Sequence, residues 1–137
     1  MLIVDSGTFL ALANPRDKHH QRARSVLSGV REPLITTTPV LTETSHLLLA
    51  RLGTEALLRF VASWANGAFN VFELSSEHAT RIGALMKKYA NLPMDLADAS
   101  LVILAEALGH GRILSTDQRD FRAYRWKNRQ PFENLLA

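Results

Sequence analysis

Short apolar runs alternate along this chain with longer stretches in which apolar residues return every three or four positions. The runs read as strands and the stretches as helices. Leu2-Ile3-Val4 opens the chain as a strand. Residues 8–13 follow as a short helix stopped near Pro15, and residues 18–27 as another stopped at Gly29. Residues 34–36 read as a second strand. Pro39 starts a helix to about Leu52, ended by Gly53, and residues 54–65 form the next, ended by Gly67. Residues 70–74 read as a third strand. Ser75 or Ser76 caps a helix to about Tyr89, with Ser75 and His78 at capping-box spacing but without the usual Glu. Asn91-Leu92-Pro93 breaks the pattern. A helix from about Asp95 to Leu108 closes on Gly109-His110-Gly111, and residues 113–116 read as a fourth strand.

Strands separated by helices imply parallel pairing. The expected fold is a three-layer α/β/α arrangement around a mostly parallel sheet of four or five strands. Two helices separate strands three and four, so one of them must run across the sheet edge. A chain of 137 residues suits a single domain spanning 1–137. No internal repeat, linker or low-complexity tract interrupts it.

Composition narrows the class. Apolar residues make up 47 %, which suits a packed core rather than a disordered chain. There is no cysteine, so disulfides and thiolate metal sites are excluded, and a reducing cytoplasm is expected. No signal peptide is expected, because the chain enters its first strand without a basic leader. No uncharged run reaches the roughly 18 apolar residues of a membrane span. The net charge of +3 is mildly basic and compatible with nucleic acid.

Four acids change this picture. Asp5, Glu43, Asp98 and Asp117 each sit where an apolar segment meets a turn or a new helix. A carboxylate that ends an apolar run is costly to desolvate without a partner. In open α/β sheets the carboxyl ends of strands and the adjoining helix N-termini form the ligand crevice. Asp5 and Asp117 follow strands one and four, while Glu43 and Asp98 lie in early helical turns. Four carboxylates gathered there make a site for a hard divalent cation, Mg²⁺ or Mn²⁺, which prefers oxygen ligands. Each acid also has a plain alternative. Asp5 can begin a turn, Asp117 can cap a short helix containing Phe121, and Glu43 can be a first-turn acid. Asp98 can be a favourable first-turn charge behind Asp95, itself read mainly as an N-cap. No histidine is placed as a general base. His46, one turn from Glu43, reads as solvated or structural.

The order of these acids resembles that of PIN-domain ribonucleases, specifically the VapC-like toxins of type II toxin–antitoxin pairs. The matching pieces are Leu2-Ile3-Val4-Asp5-Ser6, Thr42-Glu43, Pro93-Met94-Asp95-Leu96-Ala97-Asp98-Ala99, Ser115-Thr116-Asp117 and Asp120-Phe121. The resemblance implies a PIN-like fold with Asp5, Glu43, Asp98 and Asp117 as acidic-site residues and Ser6 and Thr116 as neighbours. It implies hydrolysis of RNA phosphodiesters and a small cognate antitoxin laid over the acidic site. The expected division is that Asp5, Asp98 and Asp117 hold metal directly or through water, with Glu43 completing the shell or orienting water.

Two further features bear on partners. The segment Arg119, Arg122, Arg125, Lys127 and Arg129 interleaves with Phe121, Tyr124 and Trp126. Such a pattern suits phosphate contact and base stacking, or equally a solvated surface over packed aromatics. Leu47-Leu48-Leu49-Ala50 and Leu57-Leu58 suggest a homodimer surface or a groove for a partner helix, or ordinary core packing. Two other classes stay open. One is a non-catalytic PIN-like domain that binds RNA or protein. The other is a receiver-like phosphoacceptor, which fits poorly because it needs an acidic pair after strand one, where this chain has Ser6-Gly7.

Overall fold

The computed structural model describes all of residues 1–137. Five strands, β1 (Leu2–Val4), β2 (Leu34–Thr37), β3 (Asn70–Phe72), β4 (Arg112–Leu114) and β7 (Glu133–Asn134), form one sheet in the order β3-β2-β1-β4-β7. Every pairing in it is parallel. Strand β1 lies at its centre. Leu2 and Ile3 are fully buried and Val4 nearly so, as expected of a parallel strand covered on both faces. Each such side chain contributes about 1.5–3 kcal/mol over its exposed state. Together they outweigh the desolvation of the one carboxylate that follows them.

Helices α1 (Ser6–Ala13), α2 (His20–Ser28), α3 (Thr38–Leu52), α4 (Thr54–Ala65), α5 (Ala79–Lys88) and α6 (Leu96–Leu108) cover the sheet. Helix α6 packs on β1 and β2, with α5 and α3 against it, and α1 packs on α2 and α3. The order of strands answers the question of the crossing helix. The chain leaves β3 at one edge and returns at β4 beyond β1, and α6 makes that passage. It is apolar nearly all round: Ala97, Ala99 and Leu101 through Ala105 are buried in the 25-residue core. No helix is long and apolar enough to cross a membrane.

The expected three-layer α/β/α arrangement is observed, with five strands in the sheet, and several element ends differ from the sequence pattern. Helix α1 starts at Ser6 because the Asp5 side chain caps it. Strand β3 ends at Phe72 rather than residue 74, and β4 ends at Leu114 rather than residue 116. The capping box at Ser75 is completed by an imidazole, since the Ser75 N–H donates to His78 Nδ1 at 3.1 Å. After the short helix α7 (Gln118–Ala123), the pattern gave no strand. Yet β5 (Arg125–Trp126) and β6 (Gln130–Pro131) form an antiparallel hairpin, and β7 follows. Lys127 and Asn128 adopt φ of 49° and 63°, the left-handed pair that a two-residue hairpin turn requires. The Glu106 carboxylate pins this turn, accepting from the Lys127 N–H at 2.6 Å and from both Arg81 Nε and Nη2.

Candidate active site

Asp5 lies at the carboxyl end of β1 and caps α1. Its Oδ1 accepts from the Ser6 N–H at 2.7 Å, and its Oδ2 accepts from Ser115 Oγ at 3.0 Å. Ser6 Oγ donates to Glu43 Oε1 at 2.5 Å and lies 3.4 Å from Asp5 Oδ1. Ser115 Oγ in turn accepts from the Asp117 N–H at 3.0 Å. Two serine hydroxyls therefore flank Asp5, one leading to Glu43 and the other to Asp117. Ser115 reaches Asp5 because of strand register. Val4 pairs with Leu114, so the next residues along β1 and β4 stand side by side.

Asp98 enters from α6. It shares a capping box with Asp95: the Asp98 N–H donates to Asp95 Oδ1 at 2.8 Å, and the Asp95 N–H donates to Asp98 Oδ2 at 3.3 Å. A hydroxyl chain fixes the start of α6 against that of α3. Ser100 Oγ donates to the Ala97 carbonyl, so the 2.6 Å bond to Thr37 must be donated by Thr37. Thr37 Oγ1 also caps α3 by accepting from the Val40 N–H. Asp117 caps α7, accepting from the Asp120 N–H at 3.2 Å. Three of the four acids thus hold helix N-termini, and their peptide dipoles face the carboxylates.

That support does not neutralise the cluster. Burial, opposed by the Ser6 and Ser115 hydrogen bonds and reinforced by the charges of Glu43 and Asp117, pushes Asp5 from 3.8 up to about 6. Burial, then the charges of Asp95 and Asp5, push Asp98 from 3.8 up to about 8. Burial raises Asp117 as well. The charge influences that link Asp5 to Glu43 and Asp117, and Asp98 to Asp5, also record that the four groups share one neighbourhood. Beside them a cleft of about 750 Å³ opens, with Thr42, Glu43, His46, Glu73, Asp95 and Leu96 on its walls.

A family profile described as the PIN domain matches residues 2–127. The chain belongs to the PIN domain family. Among curated relatives it is similar to ribonuclease VapC26 of Mycobacterium tuberculosis, 25 % identical over 124 residues that cover 90 % of this chain and 92 % of that one. Among solved structures its fold is similar to Mycobacterium tuberculosis VapC20, described as a sarcin–ricin loop cleaving toxin. The TM-score is 0.80 at 19 % identity, over 87 % of this chain and 92 % of that chain. The PIN fold expected from the sequence is the fold observed.

In this PIN fold the residues singled out by sequence fall as follows. Asp5, Glu43, Asp98 and Asp117 gather at the carboxyl edge of β1 and β4, with Ser6 between Asp5 and Glu43. Asp95 is the N-cap of α6, as its plain reading held. Thr116 packs its Oγ1 against Gly7, two residues from Asp5, where an added Cβ would lie only 2.0 Å away, and Ser115 makes the hydroxyl contact to the Asp5 carboxylate. For metal, the donor set fits a hard cation, since it is all oxygen and its charges repel. The fit is in chemistry rather than in a preformed cage, for no three acid or histidine side chains close on one point.

The basic and aromatic segment divides. Phe121 and Tyr124 are buried at 1 % and 0 % exposure, so neither ring is available to stack a base. Arg125 turns its guanidinium to the carbonyls of Arg122, Ala123 and Tyr124. Arg119 pairs with the buried Asp120 at 3.1 Å. Arg122 and Lys127 are exposed. Three residues have contacts in the site that the sequence reading did not assign to them. Ser115 becomes visible only once β1 and β4 are aligned. Asp120 is, with Asp5, one of two buried acids, and stands beside Asp117. Tyr124 donates its phenol to Asp98 Oδ2 at 3.2 Å, and burial, then the charge of Asp98, raise its own ionisation far above the ordinary value.

Proposed function

We propose that residues 1–137 act as one PIN-type endoribonuclease, dependent on Mg²⁺ or Mn²⁺, that hydrolyses RNA phosphodiesters as the toxin of a toxin–antitoxin pair. The observation that carries this reading is Asp5, held between two serines with Glu43 and Asp117 beyond them and Asp98 close enough to feel its charge. Asp5, Asp98 and Asp117 would hold the cation directly or through water, with Glu43 completing the shell. When bound, a divalent cation supplies a water of lowered pKa and neutralises charge on the leaving oxygen. Ser6 and Ser115 orient the Asp5 oxygens, and the capping hydrogen bonds hold Asp98 and Asp117 in place. Of the candidate RNA contacts Arg119, Arg122, Arg125 and Lys127, Arg119 and Arg122 stand on α7, the helix that Asp117 caps, and supply positive charge there for the RNA backbone.

The names of the two mycobacterial relatives support the RNA substrate and the toxin role. By the same likeness the partner is a small antitoxin protein, and the cytoplasm is the place of action. Exposed Leu49, Leu52, Leu58, Val61 and Trp64 on α3 and α4 support a homodimer surface. The test is cleavage of mixed cellular RNA by purified protein with and without magnesium or manganese. Wild type should cut only with the cation, and Asp98→Asn should not cut. Cleavage in EDTA, or none after removal of a copurified partner, refutes the proposal. The latter outcome favours a PIN-like module that binds without cutting.

A further inference from the structure

The hydrogen bonds on Asp98 are one-sided. Its Oδ2 accepts from the Asp95 N–H at 3.3 Å and from Tyr124 Oη at 3.2 Å, while no protein group donates to Oδ1. The capping bond alone fixes one oxygen at one point and leaves the carboxylate plane free to turn. A second donor on the same oxygen removes that freedom. Tyr124 is suited to this, because its ring is packed on both sides. It has no solvent exposure and stands edge-on to Tyr89 at 5.0 Å and to Phe121 at 5.1 Å. Phe121 in turn stands edge-on to Phe132 at 5.2 Å. The column is tied to the backbone at both neighbours of the phenol: Tyr124 N–H donates to the Asp120 carbonyl, and Arg125 N–H donates to Tyr89 Oη. Edge-to-face pairs of this kind each contribute about 0.5–1.5 kcal/mol beyond their buried area.

We infer that Tyr124 is the positioning residue of Asp98: its phenol occupies Oδ2 and so reserves Oδ1 as the oxygen offered to the divalent cation. The inference rests on the cation-dependent reading of the site. A ligand oxygen whose orientation is fixed by an outer partner loses about tenfold in metal affinity or activity when that partner goes. Tyr124 has no solvent exposure and its phenol bonds only Asp98, so its removal acts through Asp98.

The experiment compares the full chain with Tyr124→Phe and Tyr89→Phe. Tyr124→Phe keeps the ring in its column and removes only the phenol that reaches Asp98. Tyr89→Phe removes a phenol from the same column that reaches only the Arg125 backbone. Manganese alone is titrated calorimetrically at pH 7.5, melting is followed in EDTA, and cleavage of a defined RNA gives kcat and KM. Tyr124→Phe should bind manganese about tenfold more weakly and lose about tenfold in kcat with KM unchanged. Tyr89→Phe should bind manganese like wild type. Equal manganese affinity in wild type and Tyr124→Phe overturns the inference, including when the variant melts lower, because the phenol then serves the fold alone. Equal weakening in both variants overturns it too, since the column and not the bond to Asp98 would matter. If wild type binds no manganese, the cation reading fails and the inference falls with it.

Discussion

Replacing Asp5 by Asn should make the cation-free protein more stable at high pH and not at low pH. The folded chain holds Asp5 at about 6 against an ordinary 3.8, chiefly by burial. A raised carboxyl pKa means that the folded state binds the proton more tightly than the unfolded state. Stability is therefore highest below pH 3.8, falls as pH rises through that value, and levels off above about 6. At 1.36 kcal/mol per unit, the full loss is about 3 kcal/mol. Asn at position 5 carries no charge and still caps α1 through its carbonyl oxygen. It cannot accept the Ser115 hydroxyl as the second carboxylate oxygen does, which costs about 1 kcal/mol. The variant should therefore be about 2 kcal/mol more stable than wild type at pH 8 and no more stable at pH 4. Urea denaturation in EDTA at the two pH values measures this directly. The reasoning is refuted if the difference between the two proteins is the same at both. Saturating magnesium should restore the wild type relative to the variant, because only the folded acidic site binds it well.

Two further outcomes follow from the contacts around Asp5. Gly7→Ala drives a methyl group to 2.0 Å from Thr116 Oγ1, and overpacking of this kind costs about 1–3 kcal/mol. Thr116→Ala should relieve most of that loss in the double variant, as read by thermal melting of all four proteins. Ser115→Ala removes a hydrogen bond that lowers the Asp5 pKa, so carbon NMR of the Asp5 carboxyl should titrate above 6, with RNA cleavage reduced about tenfold.

The legible part of the site was the part written in local pattern. A carboxylate directly after an apolar run marks the end of a buried strand, and Asp5 is such a residue. Asp95 and Asp98 announced their helix by cap chemistry. Asp117 was legible both as a cap and as a site acid, and the structure uses it as a cap within the acidic cluster. What the pattern could not carry is whatever tertiary contact decides. Strands β5, β6 and β7 are two residues each, too short for any periodicity, and hold their places through Glu106 on the Lys127 backbone and Asn134 on the Ser115 backbone. Ser115 and Thr116 are adjacent hydroxyls, and only strand register separates them. Tyr124 read equally as a base-stacking ring or as an aromatic packed beneath a solvated basic surface, and the structure packs it. Its burial depends on Tyr89 and Phe121, which sequence proximity does not reveal.

The Asn134 side chain closes the account of Ser115. Its amide donates to the Ser115 carbonyl at 2.9 Å and accepts from the Ser115 N–H at 3.1 Å, in the manner of a neighbouring strand. Ser115 follows Asp5 by 110 residues along the chain, and Asn134 comes later still. During translation the chain therefore carries its central carboxylate long before it carries the groups that orient it. Folding cannot finish the cleft progressively from the amino terminus, because the centre of the sheet waits for β4 and β4 waits for β7. The order of parts works as a delay: the central carboxylate waits for its orienting serine until the later strands of the sheet have been made.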